Sequence, residues 1–298
     1  MEETILKRNL IIIGIILGAI LVLVSLIGFI NLAKEKKVMA GFETLLDNND
    51  LTPAELIQYI NKNSAAVSQE EAATMVRGLE LVQKASLPQW EKRFENEALQ
   101  KELARVYQEN AWSLANFEDI RDNELKTIVD EAVGNGYKVE TAEGIFFPVI
   151  DYDFYDRYHQ AVTHDLAAYL EIMAVESEQT PVKDAALMIS WEEILNRALR
   201  QEEFIKEYGS STQVGAVEEL LKRYVTFALF GCNNTPLFSY DTKEIALEAK
   251  EAFLNHSWDE ERGSFSALIK EYLEVLEENG YRLTEEVELF RKEAIAGF

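Results

Sequence analysis

The pattern of hydrophobic and polar positions changes once along the chain, and abruptly. Leu10 to Ile30 reads LIIIGIILGAILVLVSLIGFI, without a charge or a proline. At ~1.5 Å per residue, a helix of that length matches the ~30 Å hydrocarbon core of a bilayer. Beyond it, apolar positions recur three and four apart between charged ones, as amphipathic helices require. The spacing predicts a short stalk carrying Val38, Phe42, Leu45 and Leu46. Helices are then expected over Pro53 to Asn61, from Ser68 to just before Pro88, over Pro88 to Leu114, and over Glu118 to Val133. Thr52-Pro53-Ala54-Glu55 and Ser68-Gln69-Glu70-Glu71 are capping boxes for the first two. Pro88 reads as a stop, because the residue before a proline avoids the helical region.

Tyr137 to Thr141 and Ile145 to Ile150 have the aromatic and β-branched content of strands, and Ala142-Glu143-Gly144 between them predicts a hairpin. Asp151-Tyr152-Asp153 is expected to cap a long helix bearing Phe154, Tyr158, Val162, Leu166, Tyr169, Leu170 and Met173. Another capping box at Ser190 opens a helix to about Tyr208, and the apolar run Val214 to Phe230 reads as a central helix ended by Gly231. Asp241-Thr242-Lys243-Glu244 is read as the cap of a helix to Asn255, and two last helices cover Phe265 to Glu278 and Thr284 to Ala296. Asn135-Gly136 and Asn279-Gly280 share one way of ending a helix, with glycine free to turn left-handed.

The expected fold class is mainly α: an N-terminal single transmembrane helix followed by an all-helical domain with one small β-hairpin. Residues 1–9 form a tail, 10–33 the anchor, 34–50 the stalk, and 51–298 an acidic helical domain with its hairpin at about 137–150. A cleaved signal fits less well. Lys7 and Arg8 resemble a basic leader, but the apolar run is long, and the nearest small-residue site, Val38-Met39-Ala40, lies beyond Lys34, Lys36 and Lys37. Those lysines nearly balance Lys7 and Arg8, so loop charge does not orient the segment. A short tail with a large C-terminal domain is the plan of a signal anchor, which places the domain outside the cytoplasm. Gly14 and Gly18 form a GxxxG through which two such helices can pair as a homodimer.

Charge narrows the partners. The chain has 29 Lys plus Arg against 53 Asp plus Glu, and beyond residue 37 the balance is 24 against 50, a formal −26. Such a body repels nucleic acid and anionic surfaces and admits basic partners. Cys232 is the only cysteine, so no internal disulfide braces the domain.

Chemical motifs are sparse. His159 and His164 are five apart, about 140° around a helix, and cannot share a zinc as an i, i+4 pair does. Asp151, Asp153 and Asp156 fail the calcium-loop pattern, which has Asp156 where glycine belongs and Val162 where a bidentate acid belongs. Gly134 and Gly136 close a helix instead of opening one, so no phosphate cradle follows. No metal or cofactor is expected. The stretch from Gly136 to Tyr158 gathers aromatic side chains around acids: Glu143, Phe146, Phe147, Asp151, Tyr152, Asp153 and Tyr155 are its candidate binding residues. Glu143 and Asp151 are the pair to consider for carboxylate catalysis. The competing reading is that these aromatics fix the hairpin to the helices. Cys232 to Pro236, Glu176, Glu178 and Asp184 are further polar positions that the sequence does not bring together.

The segments GYKVETAEGIFFPVID, IMAVES, KDAAL and NNTPLFSY resemble an uncharacterised family of membrane-anchored envelope proteins of Bacillus-type Gram-positive bacteria. The resemblance implies an envelope location and a helical exterior domain, and it brings no catalytic residues. The sequence therefore reads as a membrane-anchored, extracytoplasmic helical module that binds a protein or cell-wall ligand, rather than as an enzyme. The alternatives are a carboxylate-dependent envelope hydrolase of glycan or peptide and a cytoplasm-facing, membrane-tethered scaffold.

Overall fold

Helix caps act first. In α2 (Pro53–Asn63), Thr52 accepts from the Glu55 amide while the Glu55 carboxylate accepts from the Thr52 amide, the reciprocal box that the sequence predicts. At α3 (Gln69–Phe94) only half of the box forms. Ser68 caps the Glu71 amide, but its own N–H is bound at 2.6 Å by Glu35, which belongs to the preceding helix α1 (residues 31–46).

That contact corrects the expected stalk at 34–50. Val38 and Phe42 are buried in the core, and the Tyr59 hydroxyl donates to the Val38 carbonyl at 2.7 Å. The apolar spacing of α1 serves packing against α2 and α3, so the body starts at α1. The computed structural model describes residues 31–111, 113, 119–259 and 261–298. The apolar run 10–30, with Gly14 and Gly18, lies outside them. Among the described residues no helix is long and apolar enough to cross a membrane.

α3 also corrects the stop at Pro88, which lies inside the helix on its exposed side. Leu79, Gln83, Trp90 and Phe94 keep one buried face across it, and burying two large aromatics beyond the proline offsets one lost hydrogen bond. The break falls instead at Asn96, whose side chain caps Ala98 and Leu99 to open α4 (Glu97–Glu109). α5 (Asn123–Gly134) starts later than expected, under Asp122. Asn135 closes α5 and Asn279 closes the helix Ser264–Glu278 alike, each donating its side-chain amide to the carbonyl four residues back. Gly136 and Gly280 then turn left-handed, at φ 78° and 61°.

Strands β1 (Tyr137–Ala142) and β2 (Ile145–Ile150) form the expected hairpin, with Tyr137 opposite Ile150. The long helix expected after it is two elements, a 3₁₀ turn over Asp153–Tyr158 and α6 (His164–Glu178). Tyr152, Tyr155 and Tyr158 are spaced by three, the period at which a 3₁₀ turn puts side chains on one side. That period suits their common buried direction better than 3.6 does. Two further antiparallel pairs accompany the hairpin, each of two-residue strands: β3 (Val182–Lys183) with β4 (Ala186–Leu187), and β5 (Gly231–Cys232) with β6 (Thr235–Pro236).

α7 (Trp191–Glu207) and α8 (Val214–Phe230) pack along each other. α8 is one-sided in its first half, where Glu218, Glu219, Lys222 and Arg223 are exposed. α9 (Leu247–Asn255) begins past Asp241–Glu244, which form a turn with Lys243 at φ 60° instead of a cap. α10 (Ser264–Glu278) is held by a distant acid: buried Glu202 of α7 accepts from the amides of Phe265 and Ser266 at 2.6 and 3.1 Å and from the Ser266 hydroxyl. α11 (Glu285–Gly297) packs on α8 and α10. Two apolar cores result, one from α1 to α6 with the hairpin, joined by Phe204 of α7 and Val217 of α8, and one from the rest of α7 to α11, and they meet where α6 lies on α7.

Candidate functional site

The hairpin has two unlike faces. Tyr137, Val139, Phe146, Pro148 and Ile150 point inward onto α3 and α4, while Glu140, Ala142, Ile145, Phe147 and Val149 point outward. Gln100 of α4 closes the free edge of β2, since its side-chain amide both donates to the Phe146 carbonyl at 2.6 Å and accepts from the Phe146 N–H at 2.9 Å. The side chain of Gln100 thus stands in for a neighbouring strand.

Glu143 is exposed at the hairpin tip, at φ 50° beside Gly144 at φ 78°, a turn whose twist matches the strands. Asp151 is half-buried at the hairpin base, where its N–H donates to the Gly136 carbonyl at 3.0 Å. The six residues of β2 lie between these ends, about 20 Å at ~3.3 Å per residue. Glycosidase carboxylates stand about 5–9.5 Å apart, so this pair does not have the geometry of that chemistry. Asp153 is exposed at the start of the 3₁₀ turn.

Phe146, Tyr152 and Tyr155 are buried, and the two tyrosines belong to a polar heart built on α3. Glu80 there accepts from the hydroxyls of Tyr152 and Tyr169, each at 2.6 Å, and pairs with Lys84 at 2.8 Å. One turn on, Gln83 accepts from the Tyr155 hydroxyl and donates to the Asn135 carbonyl, while its own carbonyl accepts from Tyr137. Tyr158 reaches Asn61 at 2.9 Å. Burial pushes Tyr152 and Tyr155 far above the usual phenol range, helped by Tyr169 and Glu80 at Tyr152 and by Glu80 at Tyr155, and burial lifts Tyr158 to about 12. These phenols stay protonated as donors, so their geometry serves the fold.

Phe147 lies in a different setting. With Val149, Met173 and Val182 it lines a mainly apolar groove of about 590 Å³ over the outer face of the hairpin. A second groove of about 430 Å³, lined by Glu143, Phe146, Tyr107 and Met188, runs past the tip, and both include Lys183 and Asp184. Around them converge the hairpin, the end of α6 and the two short strand pairs. Lys138 donates to the Ser177 carbonyl, Lys183 pairs with Glu140 at 2.7 Å, and Asn234 binds the carbonyls of Ala185 and Asp184 at 2.9 and 2.6 Å. Asp184 and Ala185 sit at φ 50° and 56°, strained for non-glycine residues and held there by Asn234.

Behind α6 lies a separate cleft against α7, of about 350 Å³. Arg197, buried in its floor, donates to Glu193 at 2.8 Å, to the Gln179 carbonyl at 2.9 Å and to Glu176 at 3.4 Å, and Tyr224 donates to Glu176. Burial raises the Glu176 carboxyl above its ordinary range against the pull of Tyr224 and Arg197. Glu176 was visible in the sequence as a polar position, but nothing marked Arg197 or Gln201 beside it. Arginine and glutamine on a charged amphipathic helix look like surface, and their burial depends on α6. Comparison with family models, curated proteins and solved structures finds no match to this chain.

Proposed function

We propose that this chain is a single-pass, membrane-anchored module of the cell envelope, with its helical body outside the cytoplasm, that binds a protein partner through the groove over the hairpin's outer face. The groove itself carries this reading. Phe147 and Val149 stay half-covered although their strand neighbours Phe146, Pro148 and Ile150 are buried, and strained Asp184-Ala185 is held at the groove edge. Charge selects the partner's chemistry: Glu140, Glu143, Glu176 and Asp184 outnumber Lys84 and Lys183 around the grooves, on a body of formal charge −26, so the occupant presents apolar side chains flanked by basic ones. The apolar run 10–30 supports the anchor, and Glu35, five residues beyond it in sequence, already touches the body.

A photocrosslinking residue at position 147 in living cells is expected to yield a covalent adduct of higher mass, and the same residue at exposed Leu254 is expected to yield none. Combining Phe147→Ala with Glu143→Ala weakens partner binding and leaves the helical circular dichroism intact. Phe146→Ala instead costs about 3–5 kcal/mol of stability, as a core truncation does. Protease on sealed protoplasts, with a tag after Phe298 and a cytoplasmic marker, reports the side of the membrane. Loss of the tag supports the outward reading, whereas a tag digested only after detergent places the body inside and leaves the scaffold alternative.

A further inference from the structure

The α6–α7 cleft differs from the hairpin grooves in holding a polar side chain with nothing to bind. Gln201 lines the cleft, is 1 % exposed, and neither its side-chain oxygen nor its nitrogen has a partner in the protein. A buried amide in a folded protein is normally satisfied, because leaving it dry forfeits its hydration without return. Its neighbour in the floor, Arg197, is fully engaged by Glu193, Glu176 and Gln179, so Gln201 stands out within one turn of the same helix. The amide has one acceptor and two donors, the complement of a carbonyl and an N–H presented together.

The remaining walls define what accompanies that amide. Ile172, Val175 and Phe204 give an apolar channel beside it. Glu171, Glu203 and Glu207 stand at the rim with Arg200. Their partners are weak: His159 lies 3.3 Å from Glu171, Arg262 lies 3.7 Å from Glu203, and Glu207 accepts from Tyr208. Counting the floor, carboxylates outnumber guanidiniums, so the cleft attracts a cation.

We infer that this cleft is a second binding site, for a cationic amide such as a lysine residue within a peptide. Gln201 reads the backbone amide, the apolar channel takes the four-carbon stem, and the rim carboxylates take the ammonium. A volume of about 350 Å³ suits one such residue with its flanking amide groups. The cleft shares Glu176 with the hairpin groove, but Gln201 and the rim carboxylates line the cleft and not that groove, so the variants that test it leave that reading untouched.

Calorimetric titration of the full chain in detergent micelles tests this with three probes: N-acetyl-L-lysinamide, N-acetyl-L-norleucinamide, which lacks the ammonium, and pentylammonium, which lacks the amide. The first is expected to bind saturably and the other two at least about tenfold more weakly. Gln201→Leu should reduce the lysinamide to the level of pentylammonium with unchanged circular dichroism. The exposed pair Glu203→Gln and Glu207→Gln, which does not touch the core, should erase the advantage of lysinamide over norleucinamide. Absence of saturable binding by the wild type, equal affinity for the three probes, or loss in neither variant would overturn the site.

Discussion

Two polar interiors, the heart on α3 and the seam between α6 and α7, are built from the same kinds of residue and end in opposite states. On α3, Glu80 and Gln83 are as buried as Gln201, yet they are surrounded by donors: Tyr137, Tyr152, Tyr155 and Tyr169 reach them from the hairpin, the 3₁₀ turn and α6. At the seam, Arg197 and Glu176 are linked, but Gln201 is left without a partner. A buried polar group whose partners all lie within the protein reports on the fold, since removing one partner strands the others. A buried polar group without partners beside a cleft keeps its hydrogen-bonding capacity unused by the fold.

The most direct way to break this contrast is Glu80→Ala. It leaves the Tyr152 and Tyr169 hydroxyls dry, at about 1–3 kcal/mol each, and opens a small void, so a loss of about 3–5 kcal/mol is expected in urea unfolding. A near-neutral result would show that the heart is dispensable. Gln201→Leu, by contrast, removes an unsatisfied amide and is expected to be neutral or stabilising under the same conditions. Next in size is Glu202→Ala, which frees two amides and a hydroxyl at the start of α10. About 2–3 kcal/mol is expected, together with faster amide exchange at Phe265 and Ser266, while the hairpin exchanges as before. Gly263 belongs to the same device: a Cβ there would lie 2.5 Å from a Glu202 carboxylate oxygen, so a substitution would displace the cap.

How legible these regions are in the sequence follows from the range of the forces that make them. The Thr52 box, the Ser190 cap, the presence of the hairpin and the paired Asn-Gly endings depend on residues within a few positions of one another, and they read correctly. Pro88 misleads because the local cost of a helical proline is outweighed by Trp90 and Phe94 reaching a core made elsewhere. The three tyrosines carry a legible signal, spacing by three, which is obscured by Val162, Leu166 and Met173 continuing at a helical period. Phe146 and Phe147 were equal candidates, since alternation separates their faces without saying which face α3 and α4 will cover. The seam is the least legible. Gln179, Arg197, Gln201 and Tyr224 acquire their environments from helices more than a dozen residues away, and an unpartnered amide has no signature in composition.

The smallest expected effect distinguishes the two halves of the molecule by their response to acid. Glu102, in the first half, is held down to about 2 by its hydrogen bond from Arg105 and by the Arg121 amide. Its contribution is present above its ordinary value of 4.5 and is lost as pH falls through about 2. Glu176, at the seam, is raised by burial, so the sign reverses. Its folded state prefers the proton, and the stability linked to it is complete below the ordinary 4.5 and lost as pH rises through the higher folded value. Comparing each glutamate with its glutamine variant isolates these terms from the rest of the acid response. From pH 7 down to pH 4.5, the stability of wild type relative to Glu176→Gln should rise, while that relative to Glu102→Gln should stay level and decline only toward pH 2. If the Glu176 difference instead falls on acidification, Arg197 and Tyr224 dominate burial at that carboxylate, and the seam would be a second saturated heart like the one on α3.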